Sequence, residues 1–221
     1  MALDIKFEDK HLLVVNKPPG IGVQADKTGD DSLLDLAEAH CRQTLHPVHR
    51  IDRPASGLVL LAKTKAAMAA LSEQFRTRQV EKTYWAAVQQ APTEPKGQLV
   101  HFLKKNEKTN RSVLASEGDP GAEKAELLYQ LIGSSKHYHL LEIQLLTGRH
   151  HQIRAQLAAI GCPIKGDVKY GARRSNADRS IHLHAKHLAF EHPVLGNIIT
   201  LDVPPPANDP VWAGFIATEG L

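Results

Sequence analysis

The chain has 221 residues, 42% hydrophobic and 23% charged, with 13 prolines and 15 glycines. That composition excludes collagen-like, coiled-coil and wholly disordered proteins. Two cysteines, Cys41 and Cys162, are too few for a disulfide framework or a four-cysteine zinc site. The net charge of +3 conceals a gradient: residues 1–48 carry 5 basic and 8 acidic side chains, and residues 191–221 carry 4 acidic and none basic. Residues 49–190 are left with 22 basic against 12 acidic, a surplus of +10. Such a centre is either a polyanion-binding face or the solvated surface of a basic protein.

In chain order, Asp4–Phe7 and His11–Val15 read as strands, the second ending at Lys17-Pro18-Pro19-Gly20, where proline cannot continue a ladder. Ser32 caps a predicted helix with Leu33, Leu36, Ala37 and Cys41 on its apolar stripe. The polar segment His46–Ser56 leads into a buried strand, Gly57–Ala62. Thr64 caps a second helix whose core face holds Met68, Leu71 and Phe75. Lys82–Val88, Gln98–Leu103, Leu127–Ile132 and His137–Leu146 are further strands, the last two separated by a turn at Gly133-Ser134-Ser135. Lys104–Arg111 reads as a basic loop, Thr147–Ile160 as helical and closed by Gly161, and Gly166–Arg179 as a mobile loop. His187–Phe190 is a strand, and Pro204-Pro205-Pro206 opens an extended tail. Many strands with few helices, out of strict alternation, predict an α+β fold.

The segment His49-Arg50-Ile51-Asp52-Arg53-Pro54-Ala55-Ser56-Gly57 sets one carboxylate among cationic neighbours just before a buried strand. An aspartate held ionised there suits nucleophilic or general-base work, and a salt bridge from Asp52 to Arg50 or Arg53 that serves only the fold is the alternative.

This segment resembles the H-R-[LI]-D-x-x-x-S-G signature of the RluA-like pseudouridine synthases, and it does not stand alone. Lys17-Pro18-Pro19-Gly20, Lys82-Thr83-Tyr84-Trp85-Ala86-Ala87-Val88, Thr147-Gly148-Arg149-His150-His151-Gln152-Ile153-Arg154, Cys162–Asp167 and Leu183-His184-Ala185 are similar to further family motifs, in family order. The resemblance spans about residues 5–205. It implies one catalytic domain over 1–221, with a tail at 206–221. It also implies a largely antiparallel or mixed central sheet flanked by helices and loops, with an active-site cleft across it. The implied reaction cuts the N–C1′ bond of an RNA uridine, turns the base and rejoins it through C5, without metal or cofactor.

The resemblance implies that Asp52 is the catalytic carboxylate and that the ring of Tyr84 lies against the target base. Arg154 would pair with the catalytic carboxylate and Arg50 fill the gap left by the flipped base. Arg149, at a helix start with free N–H groups, would cradle phosphate, and Leu183 joins the substrate-binding set. Lys17 is expected to shape the rim. Ile51 replaces the commoner leucine, and Ala155-Gln156 replaces a common valine–histidine pair.

A first strand at Asp4 leaves no expected room for a separate N-terminal RNA-binding domain, so RNA selection falls to Lys104–Arg111 and Arg173–Arg179. The expected partner is ribosomal or transfer RNA, bound by a cytoplasmic monomer without membrane or obligate protein partners; Met1–Lys10 shows no signal-peptide pattern. Two rival readings remain. One is a metal enzyme using His137/His139 and His182/His184, which would share strand faces; the other is an RNA-binding module without catalysis.

Overall fold

Apolar runs such as Leu12–Val15 and Leu58–Ala62 bury residues on both faces, as covered strands require. The computed structural model describes residues 2–25 and 29–219. Its strands are β1 (Ile5–Glu8), β2 (Leu12–Lys17), β3 (His46–Pro47), β4 (Ser56–Ala62), β5 (Glu81–Val88), β6 (Lys96–Asn106), β7 (Arg111–Ala115), β8 (Ala122–Ser134), β9 (His139–Leu145), β10 (Leu183–Glu191) and β11 (Ile198–Asp202). The helices are α1 (Leu33–Cys41), α2 (Lys65–Arg76), α3 (Gln152–Ala159) and α4 (Pro210–Glu219), with a 3-10 turn at Val168–Tyr170. Mixed strands and four helices give the α+β class expected.

The chain divides into two compact units. One takes the chain up to Lys82 together with His184–Pro205, and the other takes Thr83–Leu183 and the segment from Pro206 onward. In the first unit β2 lies antiparallel to both β1 and β4, β10 runs parallel to β4 at Ser56 and Gly57, and β11 pairs β10. Helix α2 closes its core, with Ala67 and Leu71 packed on Leu12, Leu58, Leu60 and Phe190. Ser32 caps α1 through a capping box with Asp35, and the Thr64 hydroxyl accepts the Ala67 N–H at 3.1 Å, as their sequence positions predicted.

The second unit is an antiparallel sheet in the order β5-β9-β8-β6-β7. Four expectations change here. The basic Lys104–Arg111 segment is the end of β6, a tight turn and the start of β7, because Phe102–Asn106 pairs with Arg111–Ala115. Strand β8 runs through Gly133 to Ser134 by way of a bulge, so the turn lies beyond it. The Gly166–Arg179 loop contains the 3-10 turn and is pinned by Asn176, whose amide donates to Ser180 O at 2.9 Å.

The fourth change concerns the tail, which folds into α4. The Asp209 carboxylate accepts the Val211 and Trp212 N–H groups at 2.8 and 3.1 Å, starting the helix. Trp212 and Phe215 then bury against Trp85, Ala87 and Leu140. The prolines at 204–206 masked a helix that begins on Pro210, a residue well suited to a first turn. Among the described residues, no helix is long and apolar enough to cross a membrane.

Candidate functional site

Asp52 opens a four-residue turn closed by the Ala55 N–H on Asp52 O at 3.0 Å, immediately before β4. Ile51 and Ala55 are buried, Asp52 is half-buried and Arg50 is exposed, so the turn anchors on its apolar residues and presents the polar ones. The anchor beneath is Lys17, whose ammonium is withdrawn from water. Its Nζ donates to Pro18 O (2.9 Å) and Ile21 O (2.9 Å) in its own loop, and to Arg53 O (3.2 Å) and Ala55 O (2.7 Å) in the Asp52 turn.

Burial pushes Lys17 down to about 7, while the Asp52 charge acts to hold its proton. The two loops also clasp directly: Gly20 N–H donates to Arg53 O at 2.9 Å, and Arg53 Nε returns a bond to Gly20 O at 2.8 Å. Arg53 further pairs with Asp30, which assigns that arginine to the clasp.

Other motif residues turn out to build the seat. His49 stacks on Phe75 at 5.0 Å, and its Nε2 accepts the Leu60 N–H at 3.0 Å. Burial, with Lys82 nearby, lowers His49 to about 3, so the ring stays neutral. His184 is fully buried, with Nε2 on Val203 O at 3.1 Å. A carbonyl only accepts, so Nε2 carries the ring's proton and Nδ1 accepts the hydrogen bond that the Ser56 hydroxyl donates at 2.8 Å. Burial lowers His184 to about 4. Gly57, with φ +116°, is forced by this packing: a Cβ there would lie 2.3 Å from Ala185 O.

In the other unit, Tyr84 is buried on β5 opposite Ile143, on the face away from the α4 cluster that Trp85 and Ala87 join. Arg154, on α3, holds Asp167 through Nε (2.7 Å) and Nη2 (2.8 Å), both residues being buried. Its guanidinium also lies 5.0 Å from the Tyr170 ring centre. Leu183 is buried at the start of β10.

Arg149 does not stand at a helix start, since α3 begins three residues later. Gln152 Oε1 accepts both the Arg149 N–H (2.9 Å) and the Thr147 hydroxyl (2.7 Å), and Arg149 Nη1 meets Glu123 at 2.6 Å. The N–H groups assigned to a phosphate cradle are thus partly spent on a side chain. Gln156, in place of the common histidine, is fully buried and donates to Leu99 O and Ala125 O at 3.2 Å each, tying β6 to β8.

The RNA pseudouridylate synthase family model matches residues 11–159. The ribosomal large subunit pseudouridine synthase D of Zymomonas mobilis is 36% identical over 94% of this chain and 71% of that protein. The tRNA pseudouridine synthase C of Yersinia pestis is 32% identical over 99% of this chain and 91% of its own length. The chain belongs to the RNA pseudouridylate synthase family.

Among solved structures, human RNA pseudouridylate synthase domain containing 4 has a TM-score of 0.76 at 27% identity, covering 96% of this chain and 91% of that one. Human RNA pseudouridylate synthase domain containing 1, at 23% identity and a TM-score of 0.77, shares the fold. As a pseudouridine synthase, the protein is an RNA-modifying isomerase.

The histidine pairs of the metal reading do not act as pairs. His139 bonds Ser134 Oγ at 2.9 Å, His182 bonds Asp209 at 2.9 Å, and His184 serves Ser56 and Val203. Among the described residues, one group of three potential ligands converges, Glu8, His40 and Cys41. Glu8 is already held by Lys63 at 2.7 Å and His40 at 3.0 Å, and those bonds lower it to about 2. Sequence reading missed Asp167 as a partner of Arg154, although Gly166-Asp167 stood within a quoted motif. It also underrated Lys17, for which an early lysine between an apolar strand and two prolines was the available signal.

Proposed function

We propose that this pseudouridine synthase acts on a uridine in structured ribosomal or transfer RNA, with Asp52 as its catalytic carboxylate. The observation that carries the reading is the Asp52 turn, whose Arg53 and Ala55 carbonyls accept from one buried ammonium that also holds the Pro18 and Ile21 carbonyls of the neighbouring loop. A reacting group whose backbone is held in this way keeps its position through the fixed path of its turn. The relatives named for ribosomal and for transfer RNA support both substrate classes and, with them, action in the cytoplasm.

In this reading the target nucleotide leaves its stack, at a cost of a few kcal/mol that protein contacts offset. Tyr84 lies against the base, where stacking contributes ~1–3 kcal/mol. Arg50, exposed beside Asp52, fills the vacated gap with its planar guanidinium. Arg154, Arg149 and Leu183 complete the substrate-binding set. The N1–C1′ bond breaks, C5 bonds to C1′, the C5 proton leaves and N1 gains one, so the product is an isomer. Asp52 serves either by attacking C1′ or by taking a ribose proton to give a glycal.

The protein works as a monomer without an obligate protein partner, which size-exclusion chromatography with light scattering tests. Asp52→Asn is expected to keep RNA affinity and abolish turnover. Pseudouridine formed at the normal rate by that variant overturns the assignment. Mapping pseudouridine across ribosomal and transfer RNA in a deletion strain identifies the target.

A further inference from the structure

A cavity of about 580 Å³ opens within the unit that contains Thr83–Leu183, beyond the C-terminal end of β5. Its lining includes Gln89, Tyr138, Lys165, Arg173, Arg174 and Asn176, and no lining residue is acidic. Arg173 and Arg174 are exposed and enter no ion pair among the described residues. Lys165 is held in place: its Nζ donates to Asn176 Oδ1 at 2.7 Å and stands 5.6 Å from the Tyr138 ring centre.

The wall behind it is built rather than loose. Asn176 Nδ2 reaches Ser180 O at 2.9 Å and His182 Nδ1 at 3.1 Å. Gly166 fits so closely that a Cβ would lie 2.7 Å from both Asn176 Nδ2 and Ser180 O.

Asp178 and Asp209 act on Lys165 from outside the lining, while Arg173 and Arg174 add two exposed positive charges at the mouth, and this surplus calls for an anionic ligand. The volume falls in the ~300–1,000 Å³ range of ligand pockets, so it admits a whole nucleotide and not merely a phosphate. The side-chain amides of Gln89 and Gln90 supply donors and acceptors of the kind by which unpaired bases are held. Gln89 lies five residues beyond Tyr84 along the chain, ~16 Å at the rise of a strand, which sets that end of the cavity apart from the tyrosine assigned to the target base.

We propose that the cavity is a second RNA subsite, holding a phosphodiester-linked nucleotide of the substrate strand away from the reacting uridine. The assignment rests on the reading of the chain as an enzyme acting on structured RNA. It replaces a diffuse basic loop with a shaped site whose charge and volume both matter.

The test compares Arg173→Gln/Arg174→Gln with Lys10→Gln/Lys65→Gln, two exposed lysines of the other unit. A fluorescein-labelled 12-mer oligouridylate reports binding by anisotropy across a salt series. Unmodified ribosomal and transfer RNA transcripts report turnover. The loop pair is expected to lower the log–log salt slope by about 1.4, at ~0.7 per lost phosphate contact on a single strand. It should raise KM about tenfold while kcat stays within about twofold, the signature of lost ground-state binding.

The control pair should change none of these. Ala172→Phe, which adds bulk to the cavity wall at constant charge, should weaken oligouridylate binding about fivefold with the slope unchanged, through lost room for the nucleotide. Equal effects from the two charge pairs, or wild-type binding by Ala172→Phe with a wild-type melting curve, overturn the subsite. Wild-type protein that forms no pseudouridine on any transcript strikes the function reading instead, and the anisotropy series still decides the subsite.

Discussion

Lys17 and Arg154 are both cations withdrawn from water, one in each unit, and the protein solvates them differently. Lys17 is surrounded by carbonyl dipoles from two loops, whereas Arg154 faces the full opposite charge of Asp167 through a two-bond fork. The consequence is chemical as well as structural. Burial, which the carbonyls do not fully offset, leaves the ammonium titratable near neutrality, at about 7. The carbonyls also make it a fastener of main chain, so it sets the path of the Asp52 turn. The ion pair instead fixes α3 to the loop carrying Asp167, side chain to side chain.

Breaking the ion pair should have the largest effect. Arg154→Ala leaves Asp167 buried and uncompensated and is expected to cost ~3–5 kcal/mol by urea unfolding. Arg154→Met/Asp167→Leu, which removes both charges, should recover most of that loss. If the double variant is as unstable as the single one, the pair contributes more than mutual neutralisation.

Lys17→Met should cost ~2 kcal/mol, because the carbonyls around it lose their donor, and should reduce turnover through a displaced Asp52 turn. Its pH signature sharpens the contrast. Lys17 holds its proton more weakly folded, near 7, than unfolded, at 10.5. Between those values the unfolded chain binds more protons, so this site's contribution makes stability rise with pH. Urea midpoints at pH 6.5, 8 and 9.5 should show that rise in wild type and lose it in Lys17→Met.

The smallest effect is expected for Arg149→Ala. Arg149 also meets a carboxylate, Glu123, but this pair is open to solvent, and such pairs contribute ~0–1 kcal/mol. A loss above that range would show that its bond to Lys124 O carries structural weight.

Periodicity and caps made much of the fold legible: Ser32 and Thr64 start their helices, and the buried strands lie where apolar runs predicted them. Strand β7 was missed because Arg111–Ala115 is short and follows a charged segment, so its pairing with β6 carries no apolar signature of its own. Helix α4 was missed because prolines ahead of it read as extended chain, and its N-terminus depends on Asp209 meeting His182, a partner 27 positions away.

At the candidate site, motif order pointed to Asp52, Tyr84 and Arg154. It did not separate the residues proposed to meet substrate from those that build the seat. His49, Ser56, Gly57 and His184 belong to the seat, and only distances show that. A buried lysine ringed by backbone oxygens is likewise invisible in sequence, since carbonyls carry no residue identity.

The bond between Ser56 and His184 spans 128 positions, and Gly57 is wedged against Ala185 beside it. During synthesis at ~5–20 residues per second, the aspartate emerges roughly 6–26 s before the strand that braces its turn. A nascent chain therefore displays the Asp52 motif well before it can hold it in place. Folding of the first unit has to wait for its own distant end, so a ribosome stalled between the two leaves a signature without a seat.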